Sequence, residues 1–310
     1  MILCIGTTPA AQRVMVFKKL QIDAVNRATT TDDGSAGKSI NVAKILHALG
    51  ETPVATGFLG GDRGRWIRTD LASRGIILDF VEVAAHTRQC TTVIDEATGQ
   101  ITELVEESRP VSLSEYDQLK AIVRRHLPEC QAVIMSGTLA AGGTPDFYGE
   151  CTTLAHAAGK LTILDAAGLA LTRALPARPG LVKPNRPELA ATVGRELRDE
   201  SEVITAMRDL IQRGAQRVIV TAGKEPALAD DGTHVWRIRA PRIQAVNPIG
   251  SGDAFTAALT WRLVQGENLG DACRWAAAAG AANALTLMAG ELDRTKVEEL
   301  ATQTQLETIQ

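Results

Sequence analysis

Residues 247 to 255 read Asn247-Pro248-Ile249-Gly250-Ser251-Gly252-Asp253-Ala254-Phe255. Two glycines flank a serine just before an apolar run, Ala254 to about Val264, that predicts a helix. Backbone N–H groups in such a loop converge with a helix N-terminus into a nest for an anion. Asp253 enters the first turn, where Asp is also a good helix-starting residue, so capping accounts for it as well. A carboxylate beside a phosphate-shaped nest opposes the anion unless its charge is needed. A substrate hydroxyl losing its proton while attacking a phosphoryl group supplies that need. A dinucleotide fingerprint fits poorly, since Phe255 stands at its third glycine and Asn-Pro-Ile replaces a clean strand end.

Outward from this segment, short apolar runs alternate with helical patterns. MILCIG (1–6), TPVATGFL (52–59), IILDFVEV (76–83), AVIM (132–135), LTILD (161–165) and RVIVTAG (217–223) predict strands. Between them, 41–49, 63–74, 114–126, 145–158 and 200–213 predict helices. In the first of these, Val42, Ile45, Leu46 and Leu49 line one face, and Gly50 follows at the C-terminal end. This order implies an α/β fold with a mostly parallel sheet covered on both faces. Two stretches, 11–30 and 89–104, carry strand patterns without helices of their own. They are expected to form a small β lid, the second as a hairpin around Glu96-Ala97-Thr98-Gly99.

Gly34-Ser35-Ala36-Gly37-Lys38-Ser39 ends like a Walker A loop. Asp32 occupies the place of that motif's first glycine, and the preceding residues are mostly Thr and Asp rather than a buried strand. The turn therefore reads either as a plain glycine turn before a helix or as a substrate-lining element.

Composition narrows the function classes. Lys plus Arg total 33 and Asp plus Glu 36, a near-balance that argues against a nucleic-acid binder and an acidic disordered chain. Aromatics are only 4%, too few for base-stacking platforms. The five cysteines are widely spaced with no CxxC, so a disulfide framework or thiolate zinc site is not expected, and a reducing compartment fits. Ala276 to Gly290 falls short of a membrane span, and the N-terminus lacks a basic signal region; the expected location is cytoplasmic.

Together, NPIGSGDAF (247–255), LVKPNRPEL (181–189) and TAGKEPALADDG (221–232) resemble the signatures of the ribokinase and PfkB family of sugar kinases. Within it the chain is similar to the hexose-phosphate branch of 1-phosphofructokinase and tagatose-6-phosphate kinase, from MILCIGTTPA to the alanine-rich helix around Ala276. The resemblance implies a single ribokinase-like domain over 1–310, with ATP and Mg²⁺ as cofactors and a phosphorylated ketohexose as acceptor. It implies Asp253 as the base, with Gly250, Ser251 and Gly252 as the anion hole. Asn185 and Glu188 would arrange Mg²⁺ through water, although Asn at the cap, Pro early in the first turn and Glu at N3 equally describe a capping box. Lys183 would neutralise nucleotide phosphates. Thr221 to Gly223, with Ala276, Ala279 and Asn283, would form the adenine slot, or else the alanines simply pack against the sheet.

For the acceptor's phosphate the resemblance implies Arg88, in HTRQCTTVID, and Arg27, in AVNRA, with Arg13 and Lys38 as further cations. Gly37 and Lys38 belong to the substrate turn. Asn41 would meet sugar hydroxyls, with capping as its other reading. Two departures bear on the acceptor: Gln12 replaces the branch's usual Asp, and Ala36-Gly37-Lys38-Ser39 replaces GGKG. A kinase of the same fold for a free sugar or nucleoside therefore stays open, as does a non-catalytic relative. A nicotinamide dehydrogenase fails on its missing glycine. Pairing of two lids would give a homodimer; no nucleic-acid or membrane partner is expected.

Overall fold

The computed structural model describes all residues, 1–310. Strand β1 (Ile2–Gly6) lies in the middle of the large sheet, flanked by β4 (Pro53–Leu59) on one side and β9 (Ala132–Ser136) on the other. Between β1 and β4 come β2 (Ala10–Phe17), β3 (Thr30–Ala36) and α1 (Lys38–Ala48). After β4 follow α2 (Gly61–Ser73), β5 (Ile77–Leu78), β6 (Val81–Glu82), β7 (Arg88–Asp95), β8 (Gln100–Val105) and α3 (Leu113–His126). Beyond β9 the sheet grows through α4 (Phe147–Ala157), β10 (Leu161–Asp165), α5 (Gly168–Ala174), β11 (Leu181–Val182), α6 (Arg186–Val193), α7 (Glu200–Gln212) and β12 (Val218–Ala222). From β5 to β12 every neighbouring pair in this sheet is parallel.

The sheet then turns antiparallel through β13 (Glu225–Asp230) and β14 (Val235–Arg239). After α8 (Ser251–Val264), α9 (Leu269–Ala284) and α10 (Arg294–Gln303), the chain returns as β15 (Gln305–Thr308) beside β14. The sheet is thus mixed, and the strand–helix alternation does not announce its antiparallel end.

Both faces are covered, as the apolar strand runs require. Alternate residues of β1 divide between two cores. Ile2 and Cys4 pack toward α1, α8 and α9, and Leu3 and Ile5 toward α3, α4 and α7. The expected strand over 76–83 is two short pieces, β5 and β6, in one register along β4 and interrupted at Asp79 and Phe80, where the Asp79 carbonyl accepts from the Thr56 hydroxyl.

A separate four-stranded sheet, ordered β3-β2-β7-β8, forms the lid. Its hairpin β7–β8 is where the sequence places it. The other half is displaced from 11–30: residues 18–29 are a loop, and Thr30–Ala36 is strand β3, paired antiparallel with β2. Thr and Asp are admissible there because β3 is an exposed edge over most of its length. Gly37, at φ 107°, ends this strand and opens α1 three residues before the predicted start.

Candidate active site

The parallel strands of β1, β9, β10, β11 and β12 present their C-terminal ends to one side of the sheet, and the order of strands reverses at β1. That is the place where doubly wound sheets bind ligands. A cleft of about 350 Å³ opens there, with the sheet as its floor and the lid as its roof. Lys38, Asn41, Asp165, Lys183, Glu188 and Asp253 line the floor, and Gln12, Arg88, Cys90, Glu103 and Val105 come from the lid.

Asp253 sits in the first turn of α8, only 6% exposed. Burial pushes its carboxyl up to about 6, opposed by Lys38 and assisted by the nearby charge of Asp165. Asn41 donates its Nδ2–H to Asp253 Oδ2 at 2.7 Å. The Asn41 Oδ1 is buried without a donor, so one acceptor remains beside the carboxylate. Capping does not explain Asn41, since α1 begins three residues earlier.

The nest is narrower than the sequence implies. Gly250 adopts φ 85°, and a Cβ there would lie 2.9 Å from Ala289 Cβ and 3.1 Å from Gly290 N, so only glycine fits. The N–H groups of Gly250 and Gly252 take no backbone acceptor and line the cleft. Ser251 does not join them: its N–H donates to Pro248 O at 3.2 Å, and its hydroxyl is buried without a partner outside the cleft wall. Its carbonyl instead faces α9, where only Gly280 lets the two helices approach, a Cβ there being 3.0 Å from Ser251 O.

Asp165 is the site residue that the sequence pattern hides. It ends β10, is 1% exposed, and takes Lys38 Nζ at 3.1 Å on Oδ1 and Lys183 Nζ at 3.1 Å on Oδ2. Thr256 Oγ1, one turn along α8 from Asp253, donates to the same Oδ2 at 3.0 Å. Burial alone would raise this carboxyl; the two ammonium groups override it and hold it below the usual range. The reciprocal effect raises Lys38 above the ordinary lysine range. The only available signal was an acid closing a parallel strand, the position where α/β sheets place ligand-binding groups. Lys183 Nζ would lie 3.8 Å from a Cβ on Gly252, so its ammonium stands beside the nest. The Walker A resemblance dissolves here, because Lys38 follows an antiparallel lid strand and turns to Asp165.

Asn185 and Glu188 form the complete capping box of α6. Asn185 Oδ1 accepts from Glu188 N, and Glu188 Oε2 accepts from Asn185 N, each at 2.8 Å. Asn185 is thereby committed through its side-chain oxygen. Glu188 keeps Oε1 for the cleft, 3.8 Å from Lys38 Nζ. No cluster of three acidic, His or Cys side chains forms a ready-made metal cage. The cleft nevertheless holds four carboxylates (Glu103, Asp165, Glu188, Asp253) against three cations (Lys38, Arg88, Lys183). That excess suits a divalent cation that keeps its waters and shares substrate phosphates. Thr221 also lines the cleft, bridged to Asn185, and Gly223 lies beyond it at φ 63° with open space where a Cβ would be.

On the lid, Arg88 Nε and Nη2 donate to Thr8 O at 3.3 and 3.1 Å, and Nη1 to Glu106 O at 3.4 Å. These bonds aim the guanidinium and leave two of its five N–H groups for a ligand. Gln12, 4% exposed, donates Nε2–H to Thr92 Oγ1 at 2.6 Å and keeps its Oε1. Gly37 lines the cleft, and with φ at 107° and Pro9 Cα 3.0 Å from where a Cβ would stand, the turn favours glycine.

Several expected residues lie elsewhere. Arg27 is exposed on the 18–29 loop and outside the cleft, because that loop leaves the lid sheet. Arg13 makes a two-bond fork with Asp33 at 2.7 Å across β2 and β3, on the lid's outer face. Ala276 and Ala279 are wholly buried in the core between α9 and the sheet, so packing replaces the adenine slot for both. Asn283 is also wholly buried; it donates to Ile249 O and accepts from Gly290 N, both at 2.9 Å, which fastens the loop leading into the nest.

A doubly wound sheet, a lid and an acid beside free N–H groups at a helix start define a phosphotransferase of the sugar-kinase kind. The family model of pfkB family carbohydrate kinases matches residues 1–295, and the chain belongs to that family. It is 30% identical over 303 residues to a tagatose-6-phosphate kinase of Staphylococcus epidermidis, covering 97% of each chain. Among solved structures, phosphofructokinase-2 of Escherichia coli with substrates and products superposes with a TM-score of 0.89 at 27% identity, over 97% of this chain and 98% of that one. An Arabidopsis thaliana ribokinase shares the fold with a TM-score of 0.75 at 20% identity, over 97% and 98%. The chain is therefore an ATP-dependent carbohydrate kinase with a ribokinase-like fold. No helix is long and apolar enough to cross a membrane.

Proposed function

We propose that this chain transfers the terminal phosphoryl group of ATP to a hydroxyl of a ketohexose phosphate, fructose 1-phosphate or tagatose 6-phosphate, giving the bisphosphate. Similarity to a tagatose-6-phosphate kinase supports the substrate class. The observation that carries the chemistry is Asp253, buried with its carboxyl near 6 beside the unpartnered N–H groups of Gly250 and Gly252. As the acceptor oxygen bonds to phosphorus, its proton passes to Asp253 and the bond from phosphorus to the ADP oxygen breaks. Charge on the transferring group meets the two N–H groups and Lys183. Asp165 positions both lysines without touching the reacting atoms. Glu188, with Asn185 shaping the loop, would hold Mg²⁺ through water, and the ion would supply charge neutralisation to the triphosphate. Thr221 and Gly223 border the nucleotide, while Arg88, Gln12, Gly37, Lys38 and Asn41 surround the acceptor.

The chain works as one kinase domain with its lid. Ile22 and Val25, exposed on the lid loop that carries Arg27, support a homodimer through the lids, which sedimentation would reveal. Five free buried cysteines support a cytoplasmic location.

Coupled ADP release across phosphorylated and free ketoses tests this function. Much faster turnover with a ketohexose phosphate than with its free sugar is expected. A second reading, an unphosphorylated acceptor, draws on the commitment of three Arg88 N–H groups to carbonyls and the distance of Arg27 from the cleft. Faster turnover of the free sugar would establish it instead.

A further inference from the structure

We propose that Glu103, on the free edge strand of the lid, determines acceptor specificity by accepting hydrogen bonds from hydroxyls of the sugar. The inference rests on the sugar-kinase reading above and names the residue that reads the polyol.

In the lid register Glu103 lies opposite Thr92, Thr92 opposite Val14, and Cys90 opposite both Gln12 and Val105. Residues opposite one another share a face, and the face repeats every second residue. Gln12, Cys90, Thr92, Glu103 and Val105 therefore form one surface, and four of them line the cleft.

Glu103 has no cation within ion-pair distance and no hydrogen-bond partner, unlike Glu106 just past the end of the same strand, which holds Arg63 at 2.8 Å. Partial burial against the cleft raises its carboxyl, and Arg88 on the neighbouring lid strand pulls it back down. With the lid open Glu103 is exposed and hydrated; an acceptor seated against it would displace that water and oppose its charge unless it brought hydrogen-bond donors in exchange. Backbone and side chains of the cleft leave Glu103 none. A sugar brings several hydroxyl donors, and an ionised carboxylate has about four acceptor sites for them.

The neighbouring acceptors are few. Gln12 gives one of its two amide N–H groups to Thr92 and keeps Oε1, while the Asn41 Oδ1 near Asp253 is buried. Glu103 is the only charged acceptor on the lid wall. The lid thus carries two separate readers: Arg88 for an anionic group and Glu103 for hydroxyls.

The test compares the parent with Glu103→Ala and Glu103→Gln, each checked for an unchanged melting temperature. Acceptor KM in Glu103→Ala should rise about 10- to 150-fold, the worth of hydrogen bonds to a charged group, with KM for ATP and saturated kcat unchanged. The rise should be similar for the free ketose and its phosphate, and smaller in Glu103→Gln. A deoxy sugar lacking the hydroxyl read by Glu103 should bind parent and variant alike. Calorimetric titration with the ketohexose phosphate gives the same comparison without turnover. Unchanged acceptor affinity in Glu103→Ala would overturn the proposal. So would a tighter phosphorylated acceptor, which would make Glu103 an electrostatic barrier. A parent that uses only free ketoses would defeat the ketohexose-phosphate function, yet the Glu103 effect would still have to appear.

Discussion

The floor of the cleft and its roof are built differently. On the floor the two aspartates are buried and fixed by named partners: Asp253 by Asn41, and Asp165 by Lys38, Lys183 and Thr256. These groups stand at the ends of strands and at a helix start, anchored in the two large cores. The roof has only a small apolar cluster of Val14, Val16, Ile94 and Met288, and its edge strand β8 is largely exposed. Chemistry that needs preorganised charge sits on the rigid side. In the proposed reaction recognition falls to the more thinly packed roof, where closing over an acceptor would exclude water.

The largest expected effect tests the rigid side. Asp253→Asn should lower kcat by about 10²–10⁴-fold while ATP binding persists. A variant retaining more than a tenth of parental turnover would remove Asp253 from the base role. The same substitution should stabilise the fold. A carboxyl raised to about 6 in the folded state favours that state when protonated, so its cost appears as pH climbs from the unfolded value toward 6. Above that window Asp253→Asn should unfold later by roughly 1–3 kcal/mol, measured by denaturant titration; no gain would mean that the burial cost is met by other groups.

On the roof, Arg88→Ala should raise KM for the phosphorylated acceptor by about 10- to 150-fold and leave ATP and free sugar nearly untouched. Equal discrimination between phosphorylated and free sugar would place phosphate recognition elsewhere. Amide exchange should be faster across 89–104 than in β1, β9 and β10, and should slow when acceptor binds. Equal protection with and without acceptor would make the roof as fixed as the floor. The smallest effect is expected from Gln12→Asp, which loses the bond to Thr92 and gains an acceptor-only side chain. It should reorder preference among ketohexose phosphates without altering phosphate dependence.

The sequence discloses the floor better than the roof, and local chemistry explains why. The apolar stripe of α1 and the capping box at Asn185 and Glu188 are patterns within a few residues and take the expected form. The glycines before Asp253 do so only in part, since α8 begins at Ser251 rather than Ala254 and the Ser251 N–H turns to Pro248. Asp165 is one acid among 36 until the sheet carries Lys38 and Lys183 to it. Arg27 and Arg88 look alike in sequence, and only the path of the 18–29 loop separates them. Ala276 and Ala279 suit both a flat ligand and a tight helix contact; packing in the core took them. Glu103 reads as ordinary hairpin polarity until the register turns it to the cleft.

The most direct test of the central assignment is the pH dependence of kcat/KM in the parent divided by that in Asp253→Asn. Titration of the substrate's own phosphate cancels in this ratio, leaving the base of the free enzyme. The ratio should climb about tenfold per pH unit at low pH and level off above about 6, where Asp253 is ionised. A ratio that stays flat through this range would contradict Asp253 as the group that accepts the proton.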